Sequence, residues 1–274
     1  MEYLKELFHI NEKVVILTGG AGILASEMAI GFIKACARVV LIDINKENLD
    51  RRLKKLSDLS NDVIGFQCNV LDEEKLKIVH QTILEKYNRI DILVNAAGGN
   101  MQGATVGIGQ SIFDIEMEEL KKVTELNLNG TVLPTLIFGR TMADQKSGSI
   151  INISSMASYR AITRVAGYSA TKAAVENFTK WMAVEMALKF GSGIRVNAIA
   201  PGFLLTEQNR TLLTNPDGSL TERGKTIINM TPFKRFGEPE ELIGTVLWLA
   251  SDASKFVSGA IIPIDGGFSV FSGV

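Results

Sequence analysis

Two cysteines and two histidines are all this 274-residue sequence offers of the residues that staple or ligate. Cys36 and Cys68 are too few and too isolated for a disulfide framework. With only His9 and His80 beside them no zinc site is expected, and the metal complement is read as none. That usage suits a reducing, cytoplasmic setting. Charge of one sign is missing as well: 29 lysines and arginines stand against 30 acidic residues, a formal net charge of -1. Such a balance supplies no field to gather nucleic acid or an anionic membrane, so small polar or neutral partners are expected. The segment 1–13 mixes charges into a short apolar pattern and lacks the unbroken apolar run of a signal peptide or membrane span, so a soluble, unexported protein is expected.

Repeats, low-complexity tracts and linkers are also lacking, and a chain that is 46% hydrophobic can bury a large core. Residues 1–274 read as one domain. Short runs rich in Val, Ile and Leu recur at 14–17, 39–42, 63–66, 90–94, 149–153, 194–199 and 260–264, each with the look of a strand buried on both faces. Between them lie helical spacings at 26–37, 73–87, 117–142, 170–190 and 239–250. Strand, helix, strand at this rhythm predicts an α/β fold: a doubly wound parallel sheet of about seven strands with helices on both faces. One stretch, 202–236, breaks the rhythm with a turn-rich Asn215-Pro216-Asp217-Gly218 and two short helical patterns. An insertion after a strand end is placed to cover a substrate.

The first strand runs directly into Thr18-Gly19-Gly20-Ala21-Gly22-Ile23-Leu24-Ala25 and then an apolar helix. Glycines there let the backbone turn tightly and approach a pyrophosphate, which the amides and dipole of the helix start stabilise. The second strand ends at Asp43, about 20 residues on, where a carboxylate can bind both hydroxyls of an adenosine ribose. The same carboxylate opposes a 2′-phosphate, so NAD is favoured over NADP. Arg38 lies about 16 Å down the strand from Asp43, towards the wrong end, whereas Lys46 is closer.

With Asn95-Ala96-Ala97-Gly98, Asn127, Ser154-Ser155, Tyr168-Ser169-Ala170-Thr171-Lys172, Pro201-Gly202 with Thr206, and Asp265-Gly266-Gly267 in order, the sequence from Lys13 onward resembles the short-chain dehydrogenase/reductase family. That resemblance implies an NAD-dependent oxidoreductase acting on CH-OH groups. The glycine turn departs from the commonest family form, which has glycine where Ile23 and Ala25 stand; Gly22 is expected to supply the freedom. Asn69, followed by Val70, stands where the family usually has an aspartate near the adenine, and its amide oxygen can still accept from the adenine amino group. The resemblance implies Gly19, Gly22, Ile23, Leu24, Asp43, Asn69, Val70, Asn95, Ala96, Ala97, Gly98, Tyr168, Lys172, Pro201, Gly202 and Thr206 at the cofactor. Thr206 would meet the nicotinamide amide, and Asn127 would hold a water of the proton relay behind the lysine.

The residue types explain the chemistry. Tyr168 and Lys172 are four apart at a helix start, which puts both on one face. A phenol, ordinarily about pKa 10, is a poor base at neutral pH, and a neighbouring ammonium is expected to shift it downward. Ser155 can hold the substrate oxygen beside the phenol, while adjacent Ser154 points to the opposite face. The family spacing to Tyr168 selects Ser155, and the catalytic set the resemblance implies is Ser155, Tyr168, Lys172 and Asn127.

Gly98-Gly99-Asn100, the stretches 206–210 and 220–224, and the tail from Asp265 resemble a narrower group, bacterial sugar-acid reductases of the D-mannonate oxidoreductase or fructuronate reductase kind. A sugar acid needs a cation for its carboxylate and polar partners for its hydroxyls. Arg160, Arg164 and Arg210 are the candidate cations, and Asn100, Gln208 and Asn209 the hydroxyl partners. Dehydrogenation of gluconate, a polyol or an acyl thioester stays open. A sensor or scaffold that merely binds NAD has no use for Ser155, Tyr168 and Lys172, and a Rossmann-like methyltransferase leaves Tyr168 and Lys172 unexplained. The helix 170–188 carries an apolar stripe wide enough for core and contact surface. In the resembling family the corresponding helix packs on a second subunit, so a homotetramer or dimer is expected.

Overall fold

The computed structural model describes residues 2–207 and 209–273. In chain order it contains α1 (Glu2–Leu7), β1 (Val14–Thr18), α2 (Ile23–Lys34), β2 (Arg38–Asp43), α3 (Lys46–Ser57), β3 (Val63–Gln67), α4 (Glu73–Tyr87) and β4 (Ile92–Asn95). There follow α5 (Met117–Thr124), α6 (Gly130–Gln145), β5 (Gly148–Ile153), α7 (Ala166–Phe190), β6 (Ile194–Pro201), α8 (Arg210–Leu213), α9 (Glu222–Met230), α10 (Ile243–Ala250) and β7 (Ile261–Ile264). The seven strands form one sheet in the order β3-β2-β1-β4-β5-β6-β7, and every pairing is parallel.

Strand periodicity divides the core. Val15, Leu17, Val39, Leu41, Val94 and Ile199 pack on one face with Met28 and Phe32 of α2 and Val246 of α10. Their neighbours Val14, Ile16, Val40, Ile42, Leu93 and Val196 pack on the other with Ile83, Phe138 and Met182. Each strand therefore reads as a continuous apolar run. The edge strands β3 and β7 are only partly buried, unlike the expectation for every strand, because each has a neighbour on one side alone.

Two helices differ instructively from their sequence reading. The single helix expected over 117–142 is broken by a π-helical turn, Glu125–Asn129, between α5 and α6. Five residues in that wide turn bring Asn127 into the interior, where it is fully buried, and such turns recur at functional sites. Helix α2 begins three residues before the expected 26, directly after Gly22. The segment 202–236 carries α8 and α9, with a bridge between Thr214 and Leu220 closing the expected turn. No helix among the described residues is long and apolar enough to cross a membrane, and none of their His, Cys, Asp and Glu side chains group as three or more metal ligands.

Candidate active site

The strand order reverses between β1 and β4, and the crevice beyond their C-terminal ends is where such sheets receive ligands. Its floor is tied together by Thr18, whose Oγ1 accepts from the Ala96 and Ala97 amides at 3.1 Å each. Gly19 must be glycine on two counts: its φ is +61°, and a Cβ would stand 2.8 Å from the Ala97 Cα. Gly22, expected to supply the turn's freedom, has φ -67° and needs none. Gly19 supplies it instead, which corrects that assignment.

Helices α3, α4 and α9 are closed at their starts by side chains. Asn45 caps α3 by accepting from the Asn48 amide, and Asp72 caps α4 by accepting from the Lys75 amide. Gly22 at the start of α2 offers no such cap. The amides of Ile23, Leu24 and Ala25 therefore face the crevice unpaired by any cap, which is the arrangement a pyrophosphate needs. Asp43 reaches the same turn: its Oδ2 accepts from the Ala21 amide at 3.0 Å and its Oδ1 from the Asn45 amide at 2.8 Å. The nearby Lys46 is bound to Asp50, and Arg38 pairs with Glu12 at the far end of β2. An acidic ribose site whose neighbouring Lys46 is paired fits NAD better than NADP, with Arg52 donating to the Ala21 carbonyl at 3.4 Å on the same turn.

Asn69 and Asn95 differ from a simple ligand contact. The Asn69 Oδ1 already accepts from the Leu71 amide at 3.0 Å, and the following Val70 is buried. Asn95, 1% exposed, donates to Thr135 Oγ1 at 2.8 Å and Asn152 Oδ1 at 2.9 Å, and Asn152 passes the chain on to Thr179. This network ties β4 and β5 to α6 and α7, so Asn95 braces the sheet beneath the crevice. Gly202 holds the far end, where a Cβ would meet the Asp265 Cα at 2.7 Å; Pro201 before it is buried. Thr206 follows, its amide donating to Asn209 Oδ1 at 2.8 Å.

Ser155, Tyr168, Lys172 and Asn127 converge. Ser155 lies just past β5, half-buried, and its hydroxyl is the side chain that favours the charged form of the Tyr168 phenol. Ser154 turns away to the Glu176 carboxylate at 2.7 Å, as strand alternation requires. Lys172 Nζ lies 5.6 Å from the Tyr168 ring centre and donates to the Ile153 carbonyl at 2.8 Å. Asn127 clamps Gly99, donating from Nδ2 to its carbonyl at 2.7 Å and accepting from its amide at 3.1 Å. Gly98 passes between these groups, since a Cβ there would lie 2.7 Å from Asn127 Oδ1 and 3.3 Å from Lys172 Nζ.

The electrostatics correct one expectation. Burial pushes the Tyr168 phenol above its ordinary value, and the Ser155 hydroxyl only partly opposes this. Burial also brings Lys172 down to about 8. The enclosed site penalises both charged forms, phenolate and ammonium, and this outweighs the downward shift expected from the lysine. A phenol held protonated at neutral pH is a proton donor, which suits reduction of a carbonyl.

The expected substrate groups fare unevenly. Arg160 is committed to the C-terminal tail, donating to the Ser269 carbonyl at 2.8 Å and the Phe271 carbonyl at 3.2 Å. Asn209 spends both polar atoms on its own loop, on the Thr206 amide and the Leu204 carbonyl. Both are held in place by these backbone contacts, Arg160 with N–H donors to spare. Asn100 is exposed and bonds Thr105, Arg210 is exposed at the start of α8, and Gln208 lies outside the described residues. Arg164, four residues before Tyr168, has a left-handed φ of 77° and bonds the Val106 carbonyl at 2.7 Å. Arg223 on α9, not singled out in the sequence, is half-buried, and burial together with the charge of Arg164 lowers its pKa. Its place in the quoted stretch 220–224 was the available signal.

The model of the enoyl-(acyl carrier protein) reductase family matches residues 20–269. The chain therefore belongs to the short-chain dehydrogenase/reductase family, and it is an oxidoreductase. UxuB, an uncharacterized oxidoreductase of Bacillus subtilis, is 41% identical over 271 residues, 96% of each chain. The 3-oxoacyl-[acyl-carrier-protein] reductase FabG of Thermotoga maritima is 36% identical over 95% of this chain and 99% of its own. A solved structure with bound NAD, from Haemophilus influenza and provisionally called a D-mannonate oxidoreductase, superposes with a TM-score of 0.91 at 38% identity, covering 97% of this chain and 98% of its own.

Proposed function

We propose that this protein uses NADH to reduce a sugar-acid ketone reversibly, D-fructuronate to D-mannonate. The observation that carries the reading is the half-buried Arg223 on α9, which has no ion pair among the described residues and feels the charge of Arg164. A half-buried guanidinium without a carboxylate partner is a candidate to receive the carboxylate of the substrate. The similarity to a D-mannonate oxidoreductase supports the same substrate class. A 3-oxoacyl thioester, suggested by the FabG likeness, gives Arg223 no carboxylate to bind.

NAD, when bound, supplies the hydride and leaves the protein the tasks of orientation and proton transfer. The α2 amides hold the pyrophosphate and Asp43 the ribose. Ser155 holds the substrate oxygen by hydrogen bonding, Tyr168 donates its phenolic proton to that oxygen, and the Lys172 ammonium stabilises the phenolate left behind. Asn127, through Gly99, fixes the crevice edge behind Lys172. The segment 202–236 covers the substrate and brings Arg223 to it.

The test mixes purified protein, NADH and D-fructuronate and follows NADH absorbance. Steady consumption is expected; none, alongside turnover of a neutral ketose, would remove the sugar-acid reading. Arg223→Ala is expected to lower kcat/KM for D-fructuronate by about 10- to 100-fold, the worth of one hydrogen bond to a charged group. The rate with a neutral ketose should be unaffected.

We also propose a dimer or tetramer built on α6 and α7, as the family likeness implies. Trp181, Val184 and Leu188 of α7 are 60%, 59% and 77% exposed, beside Leu136 of α6 at 57%. A monomer rarely shows water an apolar patch of that kind. Leu188→Glu is expected to lower the mass seen by sedimentation to that of a smaller species; an unchanged mass would place the contact elsewhere.

A further inference from the structure

Tyr168, Lys172 and Glu176 follow at intervals of four along α7, which stacks their side chains on one face. All three engage the segment 153–158 that leaves β5. Lys172 holds the Ile153 carbonyl, and the Tyr168 phenol has Ser155 as the side chain that acts on it. Glu176 takes the opposite side of the segment, where its Oε1 accepts from the Ser154 hydroxyl at 2.7 Å and from the Ser158 hydroxyl.

Ser158 is the link to the active site. Its Oγ lies 2.5 Å from the Ser155 carbonyl oxygen and 3.2 Å from Ser154 Oγ. Its amide donates to that same carbonyl at 3.0 Å. Ser155 is extended, with φ -164° and ψ 156°, and its Oγ accepts from the Ala157 amide at 3.2 Å. With that lone pair engaged, the hydroxyl proton is left for Tyr168 or for a substrate oxygen. The Ser158 amide thus fixes the backbone carrying Ser155 from behind, and the single hydroxyl proton of Ser158 is shared between that carbonyl and Glu176, which anchors the turn.

We infer that Glu176 is a positioning residue, which sets the Ser155 hydroxyl against Tyr168 by pinning Ser154 and Ser158 to the helix that carries the phenol. Without it the short turn after β5 has no anchor to α7 on its far side, and Ser155 can drift from the phenol. The inference rests on Ser155 and Tyr168 as the reacting pair and is independent of which carbonyl compound is reduced.

A double-mutant cycle tests it, with D-fructuronate or, should that not be reduced, the fastest of a panel containing a neutral ketose, a keto-gluconate and acetoacetyl thioester. Glu176→Ala is expected to lower kcat by about 10- to 100-fold, the scale of a misplacement near 1 Å, with KM for NADH little changed. Glu176→Gln keeps an oxygen that accepts the serine protons and is expected to retain most of kcat. In a Ser155→Ala background, Glu176→Ala should cost less than about threefold, because a residue acting through Ser155 has nothing left to position. Ser158→Ala, which breaks the same chain at its other end, serves if Glu176→Ala does not fold. Hydrogen exchange on the enzyme alone gives a second readout: the Ala157 and Ser158 amides should exchange faster in Glu176→Ala while those of α7 do not. Equal losses of kcat with and without Ser155, or unaltered kcat and exchange in both Glu176→Ala and Ser158→Ala, would overturn the assignment.

Discussion

Replacing Tyr168 by phenylalanine is expected to lower kcat by about 10²- to 10⁴-fold, the usual contribution of a positioned proton donor, while leaving NADH affinity nearly unchanged. The two effects separate because the substitution removes one oxygen from a half-buried side chain whose ring stays. The cofactor contacts assigned to the α2 amides and Asp43 lie on other elements. Burial raises the phenol above its ordinary value, so in the native enzyme it carries its proton at neutral pH and can give it to the oxygen of a ketone. Steady-state rates with a fluorescence titration of NADH measure both quantities. An unchanged rate would show that some other group supplies the proton.

Lys172→Met should give the second large effect, on turnover and on the pH dependence of stability. Turnover is expected to fall by about 10²-fold or more, as when a preorganised charge is removed from a developing anion. Stability follows from the pKa. Lys172 is 4% exposed and its pKa lies at about 8 in the fold, well below an unfolded lysine. Below pH 8 the ammonium is charged in both states, and keeping it charged in the fold costs about 3 kcal/mol, at 1.36 kcal/mol per pKa unit. Between pH 8 and the ordinary lysine value the unfolded chain binds the extra proton, so the native enzyme gains that amount as pH rises. The Met variant lacks this gain. At pH 7 its relief from a buried charge is largely offset by the Ile153 carbonyl it orphans, about 1–3 kcal/mol. Urea unfolding at pH 7 and pH 10 therefore measures the difference of differences: the native protein should gain about 3 kcal/mol on the variant over that interval. Equal pH dependence in the two proteins would mean that Lys172 is not the desolvated group described. The native reductase rate should likewise decline as pH rises through about 8, where Lys172 loses its charge.

Much of the sheet is legible in the sequence because its central strands are buried on both faces and leave no polar alternation to confuse them. Helix α3 lies outside the segments read as helical in the sequence, although Leu49, Leu53 and Leu56 follow at helical spacing and pack on the core. The glycine turn and Asp43 stand out through spacing along the first strand, helix and second strand, and Tyr168 and Lys172 through their separation of four, whereas Ser155 is marked only by resemblance to the family. The fate of Arg160 is not legible, because its partners are backbone carbonyls 109 and 111 residues away. Nor is the direction of the Tyr168 shift, which depends on how deeply the phenol is enclosed. Asn127 falls between these cases: its position in the sequence marks it, but only the π-helical turn shows that it grips Gly99.

The most direct test is a crystal structure with NAD and D-mannonate bound. The expected result is a substrate hydroxyl oxygen within about 3 Å of both Ser155 Oγ and Tyr168 Oη, with the carboxylate on Arg223. A substrate oxygen bound away from the phenol, or a phenol turned out of the crevice, would contradict the assignment of Tyr168 as the proton donor.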